Sequence, residues 1–334
     1  MTFYIAPEAE GHGVPEVMDA MARHGARIRP RVAGAKAVAS ALTIGSGGSA
    51  GTEGPIIQIG AAIGSSVGQW LRMSIDDLRV LIGCGAAAGI ASIFNAPIAG
   101  VLFAVEVLLR DLSLRSFMPI IIASVLSSVV TQVIHGRTEA IFPVPQAWVS
   151  GQGVTPVYEF TVPEFGNYLL LGLVCGLVAV ALVKLLYFTE DLFRKLPLHR
   201  ILRPVLGAAL LGLTTIAVIE LTDGNLPGGG RESAEDIAQK DEASLPAVMG
   251  NGYPIISLTL DPDAYQSSTR WTFTILLVLL VGKILCMCLT LGSGGSGGVF
   301  APSLFIGATT GGAFGLLVQQ LPWFGHISPG AYAL

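Results

Sequence analysis

The sequence predicts an all-α, polytopic membrane protein whose helices are interrupted by glycine and proline, and three observations carry that prediction. Hydrophobic residues fill 52% of the 334 positions and charged residues 13%, with a mean hydropathy of +0.67, a balance that belongs to a bilayer-embedded chain. Several apolar runs are long enough to cross a hydrocarbon core of about 30 Å. The string Gly45-Ser46-Gly47-Gly48-Ser49-Ala50-Gly51-Thr52-Glu53-Gly54-Pro55 returns 247 residues later as Gly292-Ser293-Gly294-Gly295-Ser296-Gly297-Gly298-Val299-Phe300-Ala301-Pro302, each copy followed by an apolar run. At the same offset Leu42-Thr43 answers Leu289-Thr290, Ile59-Gly60-Ala61 answers Ile306-Gly307-Ala308, and Lys36 answers Lys283. Paired breaks in corresponding parts of a membrane chain point to the central site of a transporter.

Composition also excludes. The net charge is −4 and no basic block is present, so a nucleic-acid partner is not expected. Met1 to Arg31 mixes acidic and basic residues without the apolar core of a signal peptide. Cys84, Cys175, Cys286 and Cys288 sit in apolar runs without metal-ligand spacing, and read as small buried hydrophobes. No metal and no cofactor are expected. The 42 glycines suit close approach of membrane helices.

In chain order, Val14 or Pro15 opens a short amphipathic helix with Arg23, Arg27, Arg29 and Arg31 at and after its end. Val32 to Ile44 is apolar but too short to span alone. After the first break, Pro55 starts a helix to about Leu71, Ile75-Asp76-Asp77 introduces Leu78 to Ser92, and Asn95-Ala96-Pro97 restarts the chain into Ile98 to Leu109. Three short helices broken this way need burial in protein or a polar cavity to line. Ordinary spans follow at Phe117 to Ile134, Tyr168 to Phe188, Pro204 to Leu221 and Trp271 to Leu291. Arg194, Lys195, His199, Arg200 and Arg203 place their loop, with the Arg23 to Arg31 stretch, on the cytoplasmic side. Residues 135 to 166 and 223 to 269 are then extracytoplasmic, the latter a partly helical surface excursion carrying Gly228-Gly229-Gly230, Glu232, Glu235, Asp236, Asp241 and Glu242. Pro302 starts a last helix to about Gln319. The second copy of the Gly83 to Leu109 region would begin at residue 330, so the sequence reads as an incomplete membrane domain.

The breaks favour an anion. A helix start offers unpaired N–H groups and roughly half a positive charge, which hold an anion without a basic side chain. Starts at Gly11 to Pro15, Gly51 to Pro55 and Gly297 to Pro302 would converge on a site that binds a small inorganic anion loosely enough to release it. Glu53 stands in the first break where the second has Phe300. A carboxylate at membrane depth costs about 2.5–3.5 kcal/mol on insertion scales. Ionised, Glu53 would itself fill an anion position, which makes it a candidate gate; the alternative is a capping glutamate at the membrane surface. Gly292-x-Gly294-x-x-Gly297 fits a dinucleotide fingerprint literally, but has no βαβ setting and no acidic partner downstream. Neither copy is a P-loop, and a Gly/Ser linker would not keep the long match and its proline. Glu106 is either interfacial or buried, and His135, His199 and His326 lie at segment ends, where solvation is expected.

These residues resemble the CLC family of chloride channels and proton/chloride antiporters. Gly11-His12-Gly13-Val14-Pro15-Glu16-Val17 is similar to its GSGIPE segment, and Gly51-Thr52-Glu53-Gly54-Pro55 to its GREGP or GKEGP segment. Gly85 to Phe103 resembles its GAAAGxAAxFNAPxAGxLF run, and Gly298-Val299-Phe300-Ala301-Pro302 its GxFxP segment. The resemblance implies a single domain over 1–334 with two inverted halves, about 1–134 and about 167–334, in a homodimer with one anion pathway per subunit. It implies chloride as the transported ligand, Glu53 as the gating glutamate, and an anion site from His12, Gly13, Gly54 and the backbone amides of Val299 and Phe300. Pro15, Pro55, Pro97 and Pro302 would start the helices around it. The half-motif with the family's anion-contacting tyrosine would lie past Leu334. His12 stands where the family has an anion-contacting serine, Thr52 where it has a basic residue, and Val107 where its antiporters carry a proton-relaying glutamate. Val107 leans the reading towards a voltage-gated-type anion channel in a plasma (inner) membrane, with proton-coupled antiport as the alternative. A membrane enzyme is not expected, since the apolar segments offer no nucleophile, metal cluster or cofactor lysine.

Overall fold

The computed structural model describes residues 6–111, 113–136, 142, 146–149, 153–156, 162–199, 201–222, 246–265, 271–324 and 327–334. They form two compact units, one from Met1–Ser46, Ala50–Ile141 and Gly294–Phe300, the other from Gly47–Ser49, Phe142–Ser293 and Ala301–Leu334.

The first unit holds α1 (Val14–Arg23), α2 (Arg31–Gly45), α3 (Glu53–Trp70), α4 (Ile75–Phe94), α5 (Pro97–Phe103) and α6 (Leu114–His135). Each start has a local cause. Gly13 precedes α1 at φ 99°, with Pro15 and Glu16 in its first turn, and Ser74 caps α4 by accepting the Asp77 N–H at 3.3 Å. The helix after the first break opens at Glu53 rather than at Pro55. Proline costs no hydrogen bond anywhere in the first turn, so it marks a helix start without fixing its first residue. The continuous helix expected up to Leu109 instead changes to a π-helix over Ala104–Leu109, ended by Arg110 at φ 53°, whose N–H reaches Val105 O at 2.8 Å. Val17, Met21, Val32, Ile57, Leu78 and Ile82 make the core. α3 and α4 cross where Gly60 and Gly85 leave no room for a Cβ against each other's backbone.

The second unit holds a small antiparallel hairpin, β1 (Gln146–Val149) with β2 (Gly153–Pro156), whose strands are the two found among the described residues. Its helices are α7 (Phe165–Lys195), α8 (Leu202–Leu221), α9 (Tyr253–Thr259), α10 (Phe273–Gly292), all of α11 (Phe300–Gln319) but its first residue, and α12 (Gly330–Ala333). α7 outruns the expected end at Phe188 because Glu190, Asp191, Arg194 and Lys195 continue it as a polar-ended helix. α11 opens at Phe300, two residues before Pro302, as α3 does before Pro55. Residues 246–265 are no surface excursion: Val248, Ile255, Ile256, Leu260 and Tyr265 join Trp271, Leu276 and Phe305 in the core. The acidic cluster expected at 232–242 lies outside the described residues.

Six helices among the described residues are long and apolar enough to cross a membrane: Ile75–Phe94, Leu114–Ile134, Val162–Lys195, Leu202–Leu221, Phe273–Gly292 and Phe300–Gln319. Two of them, Ile75–Phe94 and Phe300–Gln319, were expected as parts of broken segments. Their small residues thin the helices without shortening them.

Candidate functional site

The first unit gathers three of the glycine-rich stretches. Gly51 and Gly298, equivalent positions of the two strings, exchange both backbone hydrogen bonds at 2.7 Å as an isolated antiparallel bridge. One residue past Thr52, Glu53 begins α3 and is 1% exposed. Its side chain is enclosed by protein, and the capping position belongs to Thr52. Gly54 follows so tightly that a Cβ there would collide with the His12 carbonyl and lie 3.0 Å from Gly298 Cα. Gly13, in turn, presses on the Gly54 carbonyl. Only glycine allows three backbones to approach this closely. Ser296 is tied in by its N–H, which donates to Thr43 Oγ1 at 3.1 Å.

Val299 and Phe300 continue from Gly298, and Phe300 starts α11 with 45% of its surface exposed. Its ring meets that of Phe94 edge-on, with centroids 5.5 Å apart. Of the residues expected to hold an anion, His12, Gly13, Gly54, Val299 and Phe300, all fall in this unit with Glu53. One expected donor is engaged: the Gly13 N–H donates to Glu16 Oε2 at 2.7 Å, the return half of a capping box. Pro15, Pro55 and Pro97 occupy the first turns of α1, α3 and α5, while Pro302 is a buried first-turn residue of α11 in the second unit.

A buried lysine holds the first of these loops. Lys36, fully buried on α2, donates from Nζ to Gly11 O at 2.7 Å and Ala9 O at 3.2 Å. The second unit repeats the arrangement. Lys283, also fully buried, donates to the carbonyls of Val248 at 3.3 Å, Met249 at 3.4 Å and Gly250 at 2.9 Å. Those carbonyls lead into Gly250-Asn251-Gly252-Tyr253-Pro254, a second Gly-x-Gly-x-Pro helix start matching Gly11-His12-Gly13-Val14-Pro15. Sequence reasoning paired the lysines but missed this loop. The signal was present, 239 rather than 247 residues on, and an eight-residue change of offset hid it.

Other expectations resolve singly. Glu106 is exposed on the π-helix and so is not the buried alternative. His199 is exposed, whereas the His135 side chain and His326 lie outside the described residues. Cys286 and Cys288 are buried and Cys84 and Cys175 only partly so, all four as free thiols. Among the described residues no group of His, Cys, Asp or Glu could hold a metal. An open pocket of about 610 Å³ borders α1, lined by Glu8, Glu16, Asp19, His24, Arg27 and Arg29 among others. Glu53 is not in its lining.

The family described as "Voltage gated chloride channel" matches residues 1–334. The H(+)/Cl(-) exchange transporter ClcA of Vibrio cholerae is 32% identical over 345 residues, which cover 98% of this chain and 62% of that protein. ClcA of Vibrio parahaemolyticus is 31% identical over 336 residues with the same coverage. The chain thus spans 62% of the length of these curated relatives. Among solved structures, a slow cyanobacterial Cl-/H+ antiporter is similar with a TM-score of 0.73 and 24% identity, covering 99% of this chain and 68% of that one. A CLC-type fluoride/proton antiporter gives 0.68 and 25%, covering 96% and 68%. The all-helical membrane fold of the CLC kind expected from the sequence is shown by these likenesses. The named relatives are exchangers, which runs against the passive conduction that Val107 suggested.

Proposed function

Since the chain belongs to the voltage gated chloride channel family, CLC, we propose that it exchanges a small inorganic anion for protons across a membrane, with Glu53 as the group both species contest. One observation carries this reading. A carboxylate that is 1% exposed begins a helix whose first turn is pinned to a second Gly-rich break. Unpaired N–H groups at helix starts favour negative charge, whether it is the carboxylate or a free anion. An ionised Glu53 fills the position; a proton on its carboxyl oxygen cancels the charge, and the anion can take its place. Proton and anion are thereby linked through one group.

The substrate we favour is chloride, named for the Vibrio relatives, whereas one solved relative is titled a fluoride antiporter. His12, beside the Gly54 helix start, is the residue we expect to tune that choice. We place the protein in the plasma (inner) membrane as a homodimer, in line with the family resemblance. A second reading, a passive channel, is favoured by Val107, which offers no carboxylate where the family's antiporters relay protons. The reversal potential of the protein in planar bilayers under a pH gradient separates the two. Exchange predicts a shift with the proton gradient, and a potential that follows the anion gradient alone would leave the channel.

A further inference from the structure

α4 ends at Phe94, and Asn95 turns the chain at φ 51°, ψ 37° before Ala96 extends into Pro97. Glycine would make that left-handed turn at least as easily. What asparagine adds is an acceptor. Ser128 Oγ donates to Asn95 Oδ1 at 2.8 Å and Gln132 Nε2 donates to the same atom at 2.7 Å. One turn earlier on α6, Ser124 Oγ donates to Pro97 O at 2.7 Å, and on a neighbouring position Ser127 Oγ donates to Ala88 O at 2.8 Å. Residues 124, 128 and 132 thus make a polar stripe along a mainly apolar helix, and it is spent on the break between α4 and α5. Away from water, such bonds have no competing partner outside the protein.

The residue next to this latch is Phe94, whose ring stands edge-on to Phe300 at 5.5 Å. Phe300 follows the Gly298 that is paired to Gly51 and packed on Gly54. We infer that Asn95 is a positioning residue: held by Ser128 and Gln132, it fixes Phe94 against Phe300 and so sets the apolar wall beside the start of the Glu53 helix. The functional half of this inference rests on the exchange reading, the structural half does not.

The test uses the whole protein with 4-fluorophenylalanine in its phenylalanine positions, the Phe300 fluorine signal being assigned by Phe300→Leu. Asn95→Gly removes the acceptor while keeping the left-handed turn, and Ser128→Ala with Gln132→Leu removes the donors while keeping Asn95. Both variants should displace the Phe300 fluorine resonance in the same direction, as Phe94→Leu does. In proteoliposomes both should raise the chloride KM severalfold with little change in kcat, and adding Phe94→Leu to Asn95→Gly should bring no further rise. A wild-type fluorine signal in Asn95→Gly and in the Ser128/Gln132 variant overturns the latch, whatever transport does. A displaced signal with unchanged chloride KM retains the latch and overturns its role at the site. Loss of proton coupling in the wild-type protein would instead strike the exchange reading alone.

Discussion

Lys36 and Lys283 each reach the carbonyl oxygens that lead into a Gly-x-Gly-x-Pro helix start, but the two loops they hold are finished differently. In the first unit Glu16 takes the Gly13 N–H, and Gly13 lies on the backbone of the Glu53 helix. In the second unit Ile255 occupies the place of Glu16 and is buried, Asn251 Oδ1 accepts the Tyr253 N–H at 3.2 Å, and Gly252 lies on the Phe305 ring. Lys283 also stands 5.1 Å from the centroid of that ring. The clamp is kept twice, while the finishing acceptor is a carboxylate in the loop packed on the Glu53 helix and a side-chain amide in the other. The strings themselves differ in the same way, with Glu53 in one and Phe300 in the other. The same lysine clamp can thus hold a glycine–proline helix start against quite different neighbours.

The comparison can be broken most sharply at the lysines. Lys283→Met leaves three carbonyls without their ammonium, two of them buried, and Lys36→Met leaves two, one of them buried, at about 1–3 kcal/mol for each buried group orphaned. Denaturant unfolding of the purified protein should therefore rank Lys283→Met below Lys36→Met, and both below wild type; a reversed order would mean that the loops are not held alike. Next come the glycines. Gly13→Ala meets the fixed Gly54 carbonyl at φ 99°, whereas Gly252→Ala meets an aromatic ring 2.6 Å away at φ 83°. Overpacking and strain of this kind cost about 1–3 kcal/mol, and the first substitution should be the worse in both thermal stability and anion flux. The smallest effect is expected at the cap. Glu16→Ala should cost about 1 kcal/mol, and Glu16→Gln, which keeps an acceptor for Gly13, should melt within error of wild type.

Much of the site was legible because backbone constraints name their residues. Close approach of backbones demands glycine, and proline sits in first turns, so Gly54, Gly298, Pro15 and Pro55 could be placed from the sequence alone. Helix starts were off by two residues at Pro55 and Pro302 because proline is tolerated throughout that turn. Three features were hidden. The Gly250-x-Gly252-x-Pro254 loop was out of register with the main repeat, and only the carbonyl partners of Lys283 reveal it. Ser128 and Gln132 lie one turn apart on α6, but their partner Asn95 is more than thirty residues distant and is set by tertiary packing. Residues 246–265 read as part of a partly helical surface excursion because their apolar positions are short runs, and burial follows from neighbours on α10 and α11.

Proton flux driven by a chloride gradient in proteoliposomes, measured for wild type and Glu53→Gln, addresses the central claim most directly. Wild type should move protons against the chloride gradient, and Glu53→Gln should lose proton movement while still passing chloride. Undiminished chloride-driven proton flux in Glu53→Gln, in a protein that folds normally, would contradict the assignment of Glu53 as the shared group.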